Sequence, residues 1–453
     1  MQRDRLGSRL GFLMLSAACA IGLGNVWKFP YMAGQYGGGA FVVVYLAFLV
    51  LLGIPVLLTE FTMGRAAQKS PVKMYQALEP KGSKWHIHGG VAMAGNYLLM
   101  MFYVNVAGWL MYYLVATAAG KFEGLNAQQV AAEFGSFCSD PALMLVCMAA
   151  AVIIGFFICS FSLQKGLERI TKYMMIGLFI LMIVLAVNSF FMDGAREGLS
   201  FYLKPDFSNF SVELVIGAMT QAFFTLGLGV GAMAIFGSYI GKERSLLGES
   251  VNVVILDTIV AITARLIIFP ACFSYGVEVS SGPPLIFITL PNIFANLPLG
   301  RLWGSLFFLF MCFAAISTVL ATFENIMACC IDLFGWSRKK AALINCIAML
   351  ILATPCALGF NLWSGFMPFG EGSNVLSLED FVLSNVLLPI GALCFVLFST
   401  LKKAWGWDNF VAEANSGKGM KVKKWMKGYM CYVLPLIIIA LFVTGILTFF
   451  KVI

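Results

Sequence analysis

A few polar residues interrupt long apolar runs, and these are the places where the chain can do chemistry. Asp257 is a carboxylate inside one such run, where an unpaired charge is expensive and a bound cation would resolve the cost. Ser317 and Thr318 add hydroxyl oxygens of the kind hard cations accept, although single hydroxyls in membrane helices usually bond back to their own carbonyls. Glu60 and Glu324 are two further acids near span ends or within apolar runs, and they read as structural or gating groups. Two glycine clusters complete the set: Ala18-Cys19-Ala20-Ile21-Gly22-Leu23-Gly24-Asn25, and Gln221 through Thr225 to Gly227, Gly229 and Gly231. A helix unwound inside a membrane must direct its freed carbonyls and amides at something. Carbonyls suit Na⁺, and half-helix N-termini suit a carboxylate. Taken singly, either cluster favours the reading of glycine for close helix packing. The chemistry on offer is ion and carboxylate binding. Bond-breaking has no support, because both histidines lie in one loop and no Ser-His-Asp or metal constellation stands among the apolar runs.

The elements that must position these groups are membrane spans. Of 453 residues, 60% are hydrophobic and 11% charged, against about a quarter charged in soluble domains. Apolar runs of about 20 residues or more lie at 10–35, 40–63, 89–119, 141–162, 170–191, 211–240, 247–277, 299–331, 341–360, 376–400 and 429–450. They are continuously apolar, which excludes a porin-like barrel, and the first is too long and too glycine-interrupted for a cleaved signal peptide. An all-α polytopic membrane protein follows. With the N-terminus inside, 23 of the 30 basic residues fall in cytoplasmic segments, and the C-terminus is then external. The net charge of +8 is thus a topology signal and gives no support for nucleic-acid binding. The cysteines lie mostly in or beside spans and read as small buried hydrophobes. Neither Cys329-Cys330 nor the pair His86 and His88 has further ligands at metal spacing.

The two interruptions fall in spans 1 and 6. Those are corresponding positions if spans 1–5 (residues 1–191) and spans 6–10 (residues 211–400) are repeats, with 429–450 as an extra helix and 1–453 as one transporter domain. An odd number of spans per repeat makes the second inverted, and paired interruptions of this kind point to a transporter site. The motifs make the comparison specific: Ser8-Arg9-Leu10-Gly11, Gly22-Leu23-Gly24-Asn25-Val26-Trp27-Lys28-Phe29-Pro30, Gly37-Gly38-Gly39-Ala40-Phe41, Gly53-Ile54-Pro55 through Glu60 to Met63-Gly64-Arg65, Gly166-Leu167-Glu168-Arg169, Gln221-Ala222-Phe223-Phe224-Thr225-Leu226, Ser238-Tyr239 and Asp380-Phe381. Over nearly its whole length the chain resembles the neurotransmitter:sodium symporter family, whose bacterial members include LeuT. Its eleven spans look like the short bacterial amino-acid transporters. The LeuT fold is therefore expected, with transmembrane helices 1 and 6 discontinuous.

The resemblance implies two sodium sites. One would use the Ala20 carbonyl with Asn25, Thr225 and Asp257, completed by the substrate carboxylate. The other would use the carbonyls of Ala18, Ile21 and Ala314 with the hydroxyls of Ser317 and Thr318. Asp257 stands where chloride-dependent relatives carry Asn, so transport without a chloride requirement is expected, with proton antiport as a secondary expectation. Gly22 stands where monoamine-carrying relatives have Asp, so the substrate must bring its own carboxylate to the amides of Leu23 and Gly24 near the Tyr103 hydroxyl. The side-chain pocket implied is Leu99, Tyr103, Phe224, Gly227, Val230, Thr318 and Thr322. No acid or base is among them, which favours neutral large hydrophobic or aromatic side chains: Tyr, Trp, Phe, Leu or Met.

The gates implied by the resemblance are Phe224 and Tyr103 as an aromatic lid, Lys28 with Asp380 outside, and Arg3 with Asp332 inside beside Ser238 and Tyr239. Lys28 replaces the usual Arg and cannot make a bidentate fork, so a looser outer gate is expected. In span 5, Ile176 and Gly177 stand where a helix-loosening Pro is common. Arg265, two turns outward of Asp257, is expected to face the outer vestibule. The partners expected are an amino acid, sodium ions and the bilayer of the plasma membrane. A channel would need a ring of selectivity groups that the chain lacks. A sodium-dependent amino-acid sensor without net transport is the alternative that residues alone separate least.

Overall fold

In a bilayer every backbone amide needs a partner within its own segment, and the apolar runs accordingly fold as helices in a computed structural model that describes residues 5–36, 38–208, 210–275 and 284–450. Among the described residues, nine helices are long and apolar enough to cross a membrane unbroken. The eleven expected spans resolve as these nine plus two interrupted ones. Span 1 is α1 (Arg9–Ala20) and α2 (Gly24–Gln35), bent by 63° at their junction. The continuous helices that follow are α3 (Gly39–Ala67), α4 (His86–Ala118), α5 (Pro141–Ser160) and α6 (Gly166–Ser189). Span 6 is α7 (Val212–Thr225) and α8 (Ala232–Gly237), each too short to cross alone. After them come α9 (Leu246–Ser274), α10 (Gly300–Phe334), α11 (Arg338–Leu358), α12 (Val375–Thr400) and α13 (Met426–Phe449).

Local chemistry sets the breaks. α1 starts where Ser8 caps it, its hydroxyl accepting from the Gly11 amide at 2.9 Å. It stops where Ile21 turns extended just before Gly22 and Gly24, residues of low helix propensity. Between α7 and α8 the chain runs through Gly227, Gly229 and Gly231 at φ +57°, +105° and +70°, a region other residues rarely enter. The fully buried Glu60 of α3 closes this second break, accepting from the amides of Gly229 at 2.6 Å and Met233 at 3.1 Å. A carboxylate at the N-terminal turn of α8 satisfies orphan donors and suits the positive end of the helix dipole. Glu60 is thus structural.

Burial ranks the helices. Of its most apolar stretch, α10 buries 78% inside the protein and α13 only 28%, so α10 is central and α13 peripheral. Large apolar side chains left outside the bundle, such as Leu436 on α13, then face lipid. One apolar helix absent from the expected spans, residues 285–296, lies between α9 and α10. It is too short to cross.

Candidate substrate and sodium site

The break in span 1 is the floor on which the site is built. Three side chains from three spans meet just beyond it: Asn25 of α2, Thr225 at the end of α7 and Asp257 of α9. Asn25 Nδ2 donates to Asp257 Oδ1 at 2.7 Å, and Thr225 donates to Asn25 Oδ1 at 2.9 Å and to Asp257 Oδ2 at 3.4 Å. All three are buried. The Ala20 carbonyl expected in the same set belongs to the last residue of α1. The arrangement carries one formal negative charge and several oxygens in a dry interior, a donor set that fits a hard cation.

The second set lies between the end of α1 and α10. Thr318 Oγ1 stands 3.0 Å from the Ala18 carbonyl oxygen, 3.1 Å from that of Ile21 and 3.2 Å from that of Ala314. Ser317 donates to the Ala314 carbonyl at 3.0 Å. All five expected residues are therefore together. The Ala18 carbonyl lies in the last turn of α1 and that of Ile21 just past its end, where helical partners run out. Every oxygen here is neutral, and this donor set too fits a hard cation.

Above the break lies a cavity of about 110 Å³ lined mainly by Leu23, Gly24, Leu99, Tyr103 and Phe224, with Lys28 and Asp380 on its wall. Its polar end is the Leu23 amide, which donates to the Tyr103 hydroxyl at 3.2 Å. Gly22 is required by space: a Cβ there would stand 2.8 Å from the Tyr103 hydroxyl and 3.2 Å from Thr318 Oγ1. Phe102, Val106 and Leu376 also line the cavity and were not foreseen. Phe102 and Val106 flank Tyr103 on α4, a signal available in the sequence. Leu376 reaches the wall only through the tertiary packing of α12. Of the remaining expected residues, Ala20, Gly22, Thr225 and Thr318 lie buried at the break, and a Cβ on Gly227 would meet open space. Val230 is turned toward Gly95 of α4, and the Thr322 hydroxyl donates back to the Thr318 carbonyl at 3.0 Å. Neither of these two is on the cavity wall.

The outer gate residues share the cavity without pairing. The Lys28 ammonium sits 4.0 Å over the Phe224 ring, and Asp380 accepts from the Ser384 hydroxyl at 2.6 Å. On the inner side, Asp332 accepts from the Ser70 amide at 2.7 Å, while its expected partner Arg3 lies outside the described residues. Another buried ion pair is present among the described residues. The buried Glu324 accepts from the Tyr239 hydroxyl at 2.6 Å and pairs with the Arg338 guanidinium, whose Nε also donates to the Cys159 carbonyl at 2.8 Å. The segment after α8 is thereby tied to α10, α11 and α5 at one point. The Leu6 amide donates to the Tyr239 carbonyl at 3.2 Å, and the Gly7 amide to Glu168 at 2.8 Å, which holds the N-terminal segment against the residues after α8 and against α6. The buried Arg65 joins Glu413 at 2.6 Å and the Arg244 carbonyl at 2.6 Å, pinning the helix Trp407–Ala414 and the segment around Arg244 to α3. In α6 the helix runs unbroken through Ile176, and Gly177 serves close packing, since a Cβ there would stand 2.8 Å from the Phe313 ring.

Arg265 corrects an expectation. It does not face an outer vestibule. It is fully buried, stacked on the Phe29 ring and donating to the Tyr202 hydroxyl at 2.9 Å, because aromatic faces and a phenol shield a guanidinium better than any open side of α9.

Comparison with known proteins agrees with this architecture. A family model described as the sodium:neurotransmitter symporter family matches residues 3–129 and 129–452. The sodium-dependent transporter YhdH of Bacillus subtilis is 36% identical across 98% of both chains. The sodium- and chloride-dependent taurine transporter of Bos taurus is 24% identical across 99% of this chain and 79% of its own. The crystal structure of MhsT in complex with L-phenylalanine superposes with a TM-score of 0.87 at 36% identity, covering 98% of this chain and all of the other.

Proposed function

The chain belongs to the sodium:neurotransmitter symporter family, with the LeuT fold, and from that premise we propose that it carries neutral, large hydrophobic or aromatic L-amino acids together with sodium, by alternating access and without chloride. The observation that carries the reading is the cavity over the broken span 1. It has a polar end at the Leu23 amide and the Tyr103 hydroxyl, the charged Lys28 and Asp380 on its wall, and otherwise apolar lining. That is the shape of an amino acid whose carboxylate meets freed amides and whose side chain is neutral. The relative crystallised with L-phenylalanine supports the same substrate class.

Two sodium ions would bind per cycle, one at Ala20, Asn25, Thr225 and Asp257, the other at Ala18, Ile21, Ala314, Ser317 and Thr318. Asp257 supplies the negative charge that chloride provides in chloride-dependent relatives. Residues 1–191 and 211–400 form the inverted repeats, with the N-terminus cytoplasmic and the C-terminus external. A potential of 100 mV contributes about 2.3 kcal/mol per charge, and a tenfold gradient adds about 1.4 kcal/mol. Two ions thus supply roughly 7 kcal/mol, enough for about 10⁵-fold accumulation of a zwitterion.

The test is uptake of labelled amino acids into proteoliposomes under inward gradients of Na⁺ or K⁺, each with chloride or gluconate. Accumulation of phenylalanine, tyrosine, tryptophan or leucine is expected with Na⁺ under either anion. Binding without accumulation would overturn transport in favour of a sensor, and a need for chloride would overturn the role given to Asp257.

A further inference from the structure

Arg265 is a buried charge that neither the gates nor the proposed ligand sets use. Its exposure is 0%, and it makes one side-chain hydrogen bond, from Nη1 to Tyr202. Nε and Nη2 have no hydrogen-bond partner among the described residues, and no carboxylate there lies within ion-pair distance. A lone guanidinium at such a place is costly unless a counter-charge acts on it. Of the two acids on the same helix, Glu249 pairs with Arg9, and Asp257, eight residues before Arg265, is the nearer; its side chain and that of Arg265 interact electrostatically. Eight residues span about 12 Å of helix, and helical side chains lean toward the N-terminal end, which here is the Asp257 end. Tyr45 lies within electrostatic reach of both charges, and its ring centroid is 4.0 Å from that of Phe29, the residue on which Arg265 is stacked.

We propose that Arg265 is the fixed counter-charge of Asp257, and that it sets the balance between the two ligands of the first sodium site, lowering its affinity for sodium and raising its affinity for the amino-acid carboxylate. The inference rests on the placement of sodium and carboxylate proposed above. Without ligands, the positive Arg265 offsets the negative Asp257. An arriving sodium ion is repelled by Arg265 and an arriving carboxylate is attracted. At about 12 Å and an effective permittivity near 20, each effect is about a tenfold factor in affinity. The consequence is a site that does not hold sodium firmly by itself and is filled when the amino acid arrives with it.

The test uses the purified full chain in nanodiscs. Radioactive sodium binding is measured without amino acid, and L-phenylalanine binding at saturating sodium, for the wild type, Arg265→Met, Arg265→Gln, Arg265→Lys and Tyr202→Phe. Removing the charge is expected to tighten sodium binding about tenfold and to weaken phenylalanine binding about tenfold. Arg265→Lys and Tyr202→Phe are expected to stay within about twofold of wild type on both. Arg265→Gln carries the same charge deletion should Arg265→Met fail to fold. A purely packing role would weaken both ligands together, or would make Arg265→Lys as poor as Arg265→Met, and either result overturns the proposal. Unchanged affinities in both neutral variants overturn it as well. A wild type that binds neither ligand overturns the underlying site reading instead, and is recognised because every variant is then silent.

Discussion

The two candidate sodium sites lie on either side of one helix break and are built from different chemistry. The set between α1 and α10 has only neutral oxygens, with Thr318 Oγ1 within 3.0–3.2 Å of three backbone carbonyls. The set between α2, α7 and α9 has a formal charge, with Asp257 held by Asn25 and Thr225. The neutral set is made largely by backbone that unwinding α1 exposes, so its ligation depends on the conformation of the break. The charged set depends on electrostatic balance, because a carboxylate in a dry interior needs a cation nearby. In the proposed cycle one break serves two forms of coupling: sodium to conformation on one side, sodium to substrate charge on the other.

This contrast can be broken most forcefully at Asp257. Asp257→Asn removes the charge and leaves the shape, and losing one partner of a buried charged set costs about 3–5 kcal/mol. Sodium-driven uptake in gluconate should then need at least a hundredfold more sodium, with partial recovery when chloride is restored. If chloride restores nothing, the charge-replacement role is wrong. Gly22→Ala comes next, since its new Cβ would crowd the Tyr103 hydroxyl at 2.8 Å and Thr318 Oγ1 at 3.2 Å. Phenylalanine binding should weaken by at least tenfold in an equilibrium assay, while an unchanged affinity would remove the carboxylate from this position.

Thr318→Val tests the neutral set alone. Losing one hydroxyl among several oxygens is worth about 1–2 kcal/mol, so sodium affinity should fall about tenfold with no new response to chloride. A chloride response in this variant would erase the distinction between the sites. The smallest effect is expected from Lys28→Arg. The guanidinium fork can reach a carboxylate in a way the ammonium does not, and pairing with Asp380 should slow phenylalanine dissociation outward about two- to threefold in a stopped-flow displacement assay. An unchanged rate would leave Lys28 on the Phe224 ring as the whole of its role.

The residues of both candidate sites were named in the sequence through the family resemblance, because polar atoms and glycines inside apolar runs say little singly. Asp257 stands out on its own, and the resemblance supplied Asn25 and Thr225, which the structure then brings within hydrogen-bond distance of it and of each other. The breaks were legible because the two glycine clusters fall in corresponding spans, 1 and 6. Other features depend on which spans touch, and a single sequence does not carry that. Glu324 meets Arg338 and Tyr239, and Arg65 meets Glu413 at a separation of 348 residues. The short helix at 285–296 escaped because an apolar stretch too short to cross carries no span signal. Arg265 was misplaced because an Arg in a span was expected to seek water, whereas Phe29 and Tyr202 provide it with a dry seat.

The central claim is that both sites load during one transport cycle, and the most direct test is the coupling ratio. Proteoliposomes loaded with labelled phenylalanine and a fixed sodium gradient are clamped at a series of potassium–valinomycin potentials to find the voltage at which net flux stops. Two ions per zwitterion predict a reversal at which the phenylalanine gradient balances twice the sodium electrochemical gradient. A reversal that balances the sodium gradient only once would contradict the account, leaving one of the two sites without a part in transport.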